Sequence, residues 1–162
     1  MNIVHAQTTQ DIDEIRNLFK EYEGVLKVDL EFQDFASELA NLPGKYGPPS
    51  GVLLLARDGE NTIGGGAIRR LGRIDDHLCE MKRLYVRPMR RGRGVGKRIA
   101  VRLIQEAIRL GYHTMLLDTL DRLETATHLY KSLGFIAIEP YYENPLPDVS
   151  YWKLDLIGPP GA

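Results

Sequence analysis

Hydrophobic and polar positions follow two periods along this chain, and the changes of period divide it into elements. Residues 2–6 predict a short first strand. Apolar residues then recur every three or four positions from Ile12 to Tyr22, the period of an amphipathic helix, and Thr8 is a suitable N-cap for it. A second helix is predicted around residues 32–42. The Gly- and Pro-rich residues 44–51 predict a loop that separates these helices from a run of strands.

The middle of the chain has the pattern of strands. Residues 52–57 form a continuous apolar run, and Asp58-Gly59 predicts a hairpin turn into a return strand over residues 62–71. Three successive glycines at positions 64–66 predict a bulge, or the close approach of another segment or a ligand. Residues 78–87 predict a third strand, which Pro88 ends.

The second half alternates helices and strands. Apolar positions spaced for one helical face run from Gly94 to Gly111, which is a suitable C-terminal cap. The later elements are predicted as a strand at 114–119, a helix at 124–133, and strands at 135–139 and 149–156. The order β-α-α-β-β-β-α-β-α-β-β predicts a single α/β (α+β) domain over residues 1–157, followed by a frayed tail at 158–162.

Composition narrows the class of protein. A chain of 162 residues, 43% of them hydrophobic, suits one domain with an ordinary core. The net charge of -1 argues against a protein that coats nucleic acid. The single cysteine, Cys79, excludes an intrachain disulfide and suits a reducing compartment.

Neither a signal-like N-terminus nor a run of roughly twenty apolar residues is found, so we expect a cytoplasmic protein without membrane contact. The four histidines lack metal-ligand spacing, so no metal is expected.

The most informative segment is the run Arg91-Gly-Arg-Gly-Val-Gly-Lys97 between a predicted strand and a predicted helix. Glycine permits backbone angles that turn successive N–H groups toward one anion, and the helix dipole favours negative charge at that end. The spacing fits neither a Walker loop nor a dinucleotide fingerprint. Cations at a first helical turn are opposed by the dipole unless an anion binds there. The segment therefore predicts a pyrophosphate site.

Three segments in order support a family resemblance. Arg91, Gly94 and Gly96 match Arg/Gln-x-x-Gly-x-Gly, Leu84-Tyr85-Val86-Arg87-Pro88 precedes them, and Leu129-Tyr-Lys-Ser-Leu-Gly-Phe135 comes after them. In these three segments and their order, the chain resembles the GNAT superfamily of N-acetyltransferases. The resemblance implies a GNAT fold with a mixed sheet, splayed central parallel strands and flanking helices. It also implies acetyl-CoA as cosubstrate, bound by Leu84, Tyr85, Val86, Arg91, Gly92, Arg93, Gly94, Val95, Gly96 and Lys97.

The same resemblance suggests two catalytic residues. Tyr130 matches the family's tyrosine that faces the CoA sulfur, where its hydroxyl would hydrogen-bond the leaving thiolate. Glu80 is the best candidate for the base, although a surface glutamate is an equal alternative. In an unbulged strand Glu80 would share a face with Leu84 and Val86. Cys79 would face the other way, which favours direct attack in a ternary complex over an acyl-cysteine intermediate.

The acceptor substrate and its binding site are the features that the sequence defines least. By resemblance its site would come from residues 22–35 and 141–147, and the candidates are Asp29, Glu31, Asp34, Tyr142, Glu143 and Asn144. The pattern does not distinguish an amino acid, a polyamine, an antibiotic or a peptide N-terminus, so a small-molecule amine or a peptide is expected. A homodimer is a candidate state by resemblance.

Two other functions compete with catalysis. One is an acyl-CoA-binding sensor or interaction module on the same fold without efficient catalysis. The other is nucleic-acid binding, which the balanced charge disfavours and which would use Arg87, Arg90, Arg91, Arg93 and Arg102.

Overall fold

A computed structural model describes residues 1–156, so the tail predicted at 158–162 lies outside the described residues. The strands are β1 (Asn2–His5), β2 (Val52–Asp58), β3 (Asn61–Leu71), β4 (Leu78–Val86), β5 (Thr114–Leu120), β6 (Ile136–Ile138) and β7 (Val149–Asp155). The α-helices are α1 (Thr9–Leu26), α2 (Phe35–Ala40), α3 (Val95–Arg109) and α4 (Glu124–Ser132). The order of elements agrees with the predicted order.

One sheet joins all seven strands in the order β1-β2-β3-β4-β5-β7-β6. Its only parallel pair within residues 1–156 is β4 with β5. Alternate residues of β2 enter two different apolar clusters because side chains on a strand point to opposite faces. One cluster packs beneath α3 and α4, and the other beneath α1 and α2. The chain is therefore a single α/β domain with helices on both faces of a mixed sheet, as predicted.

The helix predicted over 32–42 is shorter than expected. Residues Glu31–Gln33 form a 3-10 turn, and Asp34 then takes a left-handed conformation with φ of 58°. A helix cannot continue through that conformation, so α2 begins only at Phe35. Aspartate tolerates left-handed backbone better than most residues, which is why the break lies there.

The glycine run at 64–66 allows two close approaches. A Cβ atom at Gly66 would lie 2.9 Å from Leu103 Cδ1 on α3, and one at Gly64 would lie 2.7 Å from the Tyr85 carbonyl oxygen on β4. The predicted close approach is thus made by α3 and β4. Opposite the run, the pairing of β3 with β4 shifts register between Gly65 and Ala67, and Arg83 has φ of 59°. This is a bulge in β4.

The two central parallel strands are paired at one end only. β4 pairs with β5 only over Leu78–Glu80 and Thr114–Leu116. Beyond Glu80 the strands diverge, so the edge of β4 that faces β5 is left unpaired there. The predicted splay is present in the structure.

The bulge also changes which face each side chain takes. Before it, Cys79 and Met81 enter the cluster beneath α3. Beyond it, Leu84 and Val86 pack against that same cluster, and Tyr85 enters the one beneath α1. Glu80 therefore lies on the opposite face of β4 from Leu84 and Val86, because one extra residue reverses the alternation that an unbulged strand would have.

Candidate active site

The glycine loop presents a row of unpaired backbone donors. Gly92 and Gly94 have φ of 79° and 76°, a left-handed conformation that favours glycine. The first helical hydrogen bond of α3 runs from the Arg98 N–H to the Gly94 carbonyl at 3.1 Å. Among residues 1–156, the six N–H groups of residues 92–97 have no hydrogen-bond acceptor. Six consecutive free donors at a helix N-terminus are suited to an anion.

The positive charge around the loop is partly neutralised elsewhere. Arg87 pairs with Glu21 at 3.0 Å and Arg90 with Asp58 at 2.5 Å. Arg102, further along α3, pairs with Glu106 at 3.1 Å. These ion pairs neutralise the charge of three of the five arginines that a nucleic-acid surface would use. The loop itself keeps its exposed cations, which are Arg91, Arg93, Lys97 and Arg98.

The loop adjoins the free edge of β4. A Cβ atom added at Gly96 would lie 3.6 Å from Val86 Cγ2 and 4.0 Å from Leu129 Cδ2 on α4. Arg91 folds back over the same place, where its Nε donates to the Val86 carbonyl at 2.9 Å. The end of β4, the start of α3 and one face of α4 therefore meet at a single point.

Tyr130 lies on α4 near that meeting point. It is 6% exposed, and its ring packs edge-on against Phe135 with centroids 5.7 Å apart. Burial raises the pKa of its hydroxyl, and the nearby Tyr22 and Asp118 raise this pKa further. The hydroxyl is consequently protonated throughout the neutral range and is available as a donor.

Glu80 lies on the opposite face of β4, at the last position that pairs with β5 before the strands diverge. It is 1% exposed. Arg69 Nε donates to Glu80 Oε1 at 2.8 Å, and the Tyr141 hydroxyl donates to Oε2 at 2.5 Å. Burial raises the pKa of Glu80, but the charges of Lys82 and Arg69 and these hydrogen bonds outweigh burial and lower it overall. Glu80 is therefore a buried, ionised carboxylate held by hydrogen bonds, and not a surface one.

A group of polar residues surrounds Glu80, and of its members the sequence predicted only Glu80 and Tyr142 as site residues. Lys82 follows on the same face of β4, and its Nζ donates to Gln33 Oε1 at 2.9 Å. Across the gap, Asp118 of β5 accepts a hydrogen bond from the Tyr142 hydroxyl. Gln33, Glu80, Lys82, Asp118, Tyr141 and Tyr142 are called the polar cluster below. The sequence contained a sign of this cluster, because a lysine inside β4 and an aspartate inside the apolar β5 both interrupt buried strands.

Comparison with known proteins identifies the family. The model of the acetyltransferase (GNAT) family matches residues 12–135. The chain belongs to the GNAT family of acetyltransferases. An uncharacterized N-acetyltransferase from Schizosaccharomyces pombe is 45% identical over 157 residues, covering 96% of this chain and 95% of that protein.

Solved structures share the fold of this GNAT chain. A GNAT-family acetyltransferase from Staphylococcus aureus superposes with a TM-score of 0.78 at 20% identity, over 96% of this chain and 99% of that one. The structure of yncA from Salmonella typhimurium, solved with its cofactor acetyl-CoA, has a TM-score of 0.69 at 22% identity. The superposition covers 100% of this chain and 99% of the yncA chain.

The structure divides the residues expected around the acceptor. Tyr142 belongs to the polar cluster, and Asn144 Nδ2 donates to its hydroxyl at 2.9 Å. Glu143 is exposed and lies outside the cluster. The acidic candidates Asp29, Glu31 and Asp34 are also exposed, and two of them accept backbone N–H groups of their own segment: Asp29 from Glu31 at 2.9 Å and Glu31 from Ala36 at 2.6 Å.

Cys79 lies on the other face of β4 from its neighbour Glu80. Its thiol is fully buried on the α3 face, and burial raises its pKa to about 12. Within residues 1–156, no group of three or more His, Cys, Asp or Glu side chains is placed to hold a metal ion. The helices in that part of the chain are all too short or too polar to cross a membrane.

Proposed function

We propose that this GNAT chain is an N-acetyltransferase that moves the acetyl group of acetyl-CoA to a primary amine of a small molecule or peptide. The observation that supports it most is the row of six free N–H groups at residues 92–97 beside the unpaired edge of β4. Together they offer a diphosphate site and a strand edge for an extended, amide-bearing arm. The family relationship and the acetyl-CoA bound to yncA support the same cosubstrate.

The proposed cofactor contacts divide between two segments. The backbone of Leu84, Tyr85 and Val86 would hydrogen-bond the pantetheine amides, and the N–H groups from Arg91 to Lys97 would bind the pyrophosphate. Arg91 now donates to the Val86 carbonyl. In this proposal it moves from that carbonyl to the phosphates, because a charged acceptor makes the stronger hydrogen bond.

The reaction breaks the acetyl C–S bond, forms an amide C–N bond and moves one proton from the amine, while the thiolate of CoA gains one. Tyr130 is the proposed donor to the thiolate, because its raised pKa keeps the hydroxyl protonated. Complete proton transfer from a group of such high pKa to a thiolate is uphill. Its contribution is thus a hydrogen bond to developing charge.

Glu80 is the proposed base for direct attack in the ternary complex. Its lowered pKa keeps it ionised across the physiological range, so its own titration produces no step in rate between about pH 5 and 8. The rate should instead rise with pH as more of the acceptor amine loses its proton. Replacing Glu80 by glutamine should lower the rate by a similar factor at each pH in that range.

An acyl-CoA-binding module without efficient catalysis is the second candidate. It is favoured by one observation, that both Glu80 oxygens already accept hydrogen bonds. Thiol release from acetyl-CoA, measured against a panel of amines, separates the two functions once calorimetry has shown that acetyl-CoA binds. Release that depends on an amine supports the transferase, and binding without release across the panel supports the module.

A further inference from the structure

The carboxylate nearest to a buried lysine beside the gap is already held by another cation. Lys82 is 8% exposed, and the acceptor that its Nζ reaches is the neutral Gln33 amide at 2.9 Å. The Glu80 carboxylate is 3.8 Å away, close enough for an ion pair but too far for a hydrogen bond, and Arg69 holds the same oxygen at 2.8 Å. An ammonium group has three donors, and a buried charge is costly unless it is paired. Lys82 therefore has unused capacity to bind an anion.

The neighbouring carboxylates are held by other groups. Glu80 is bonded to Arg69 and Tyr141. Glu38 is held by Arg83, with Nε to Oε2 and Nη2 to Oε1 both at 3.1 Å. The remaining carboxylate, Asp118, accepts from Tyr142 and makes no ion pair within 4.0 Å among residues 1–156.

Lys82 and Asp118 thus present opposite charges from two diverging strands. Each is near enough to shift the pKa of the other, although they do not touch. The arrangement is complementary to a ligand that has both an anionic and a cationic group.

The Gln33 carboxamide already connects these two charges. Its Oε1 accepts from Lys82 at 2.9 Å, and its Nε2 donates to the Tyr142 hydroxyl at 3.3 Å, which in turn donates to Asp118. The orientation of the amide is set by chemistry, because an ammonium group can only donate. Gln33 therefore places an acceptor on Lys82 and a donor on the Asp118 side.

Gln33 is also at the border of open space. It lies on the 3-10 turn before α2 and lines a cavity of about 210 Å³, together with Glu38 and Tyr46. Gln33 is the member of the polar cluster that lines this cavity, so its carboxamide connects the open space with Lys82.

We propose that the acceptor is a free amino acid, whose carboxylate replaces the Gln33 oxygen on Lys82 and whose amino group takes the Asp118 side of the gap. The amino group then lies in the divergence between β4 and β5, where the proposed acetyl-CoA site presents its thioester. This inference rests on the proposed transferase function and adds the class of acceptor. Lys82 is the residue that selects for a carboxylate.

The test compares acceptors that differ only in that carboxylate. Thiol release from acetyl-CoA is measured with each L-amino acid and with its primary amide, and mass spectrometry verifies the N-acetyl product. At least one amino acid should have a kcat/KM ten or more times that of its amide. Equal or faster acetylation of the amides, or of amines without a carboxylate, overturns the inference and leaves the transferase function standing. No acetylation of any acceptor despite acetyl-CoA binding rejects both.

Two variants of Lys82 and one control variant test whether Lys82 causes the preference for a carboxylate. Lys82→Met should raise KM for the preferred amino acid at least tenfold and reduce its advantage over the amide to near unity. Lys82→Arg, which keeps the charge, should retain the preference, and Lys20→Met on the exposed surface of α1 should behave like the unaltered chain. If folded Lys82→Met still prefers the amino acid over its amide as strongly as the unaltered chain does, Lys82 does not select for the carboxylate. The acid-to-amide ratio of the unaltered chain decides the acceptor class even when the variant does not fold.

Discussion

At the scale of single residues, Tyr130 allows the chemistry to be tested with little disturbance of the fold. Tyr130→Phe keeps the ring that packs on Phe135 and removes only the hydroxyl. We expect kcat to fall by about 10- to 100-fold, the effect of losing one hydrogen bond to developing charge, about 1.5–3 kcal/mol. The calorimetric Kd for acetyl-CoA should stay within about twofold.

A matched control is Tyr112→Phe. That hydroxyl donates to the Ser50 carbonyl at 2.5 Å, far from the gap, and its loss should leave kcat unchanged. An unaltered kcat in Tyr130→Phe would remove Tyr130 from the mechanism.

Glu80 predicts a pH dependence of stability. Because its pKa is lower in the folded chain than in the unfolded one, its ionisation stabilises the fold above its ordinary pKa of about 4.3. That contribution is lost as the pH falls through the lowered value. Glu80→Gln leaves Arg69 and Lys82 without their carboxylate, so it should reduce the free energy of unfolding at pH 7 by about 3 kcal/mol.

Urea unfolding at several pH values measures this effect. The difference between the unaltered chain and Glu80→Gln should shrink below about pH 4.3, whereas Glu60→Gln, at an exposed position, should have little effect at any pH. A difference that is equally large at pH 7 and at pH 3 would contradict the ion-paired state of Glu80.

At the scale of elements, the glycine loop can be tested against another glycine of similar conformation. Gly94 has φ of 76° and Gly59, in the turn between β2 and β3, has φ of 61°; neither has an atom within 4 Å of an added Cβ. Alanine at either position should therefore cost about 1–2 kcal/mol of stability through strain. Because only Gly94 lies in the row of free N–H groups at the start of α3, only Gly94→Ala should also weaken acetyl-CoA binding, by at least tenfold in calorimetric Kd. Equal Kd values for the two variants would contradict the role of the loop.

Most elements were predictable because their hydrophobic periods are strong. The stripe of α3 and the apolar runs of β2 and β5 mark elements that are buried against one another. The bulge in β4 was not localised, since it lies at Arg83, a residue type that rarely takes a left-handed backbone. The bulge at Arg83 decides whether Glu80 shares a face of β4 with Leu84 and Val86. The late start of α2 was also missed, because the left-handed conformation of Asp34 interrupts an otherwise continuous helical pattern.

The candidate site was predictable to different extents on the two faces of the sheet. The glycine loop is contiguous in sequence, so its spacing alone indicated an anion site at the start of α3. The polar cluster is assembled from Gln33, β4, β5 and the segment before β7, which are far apart along the chain. Only folding brings them together, although the charged residues within buried strands were a usable signal.

At the scale of the whole molecule, the splayed sheet separates two environments, one on each of its faces. The α3 face holds the loop, the apolar cluster and Tyr130, and the α1 face holds the polar cluster. In our account acetyl-CoA and the amine acceptor therefore reach the same gap from opposite faces. Direct transfer between them needs no covalent enzyme intermediate, in agreement with the buried, high-pKa thiol of Cys79.

The most direct test of this account is a titration of the isotope-labelled chain with acetyl-CoA, monitored through the NMR signals of backbone amides. The account predicts that the largest shifts occur at the N–H groups of residues 92–97 and at residues 84–86 on β4, and that all of them saturate with one dissociation constant. Binding that moves other amides while these stay in place, or no shifts at millimolar acetyl-CoA, would contradict it.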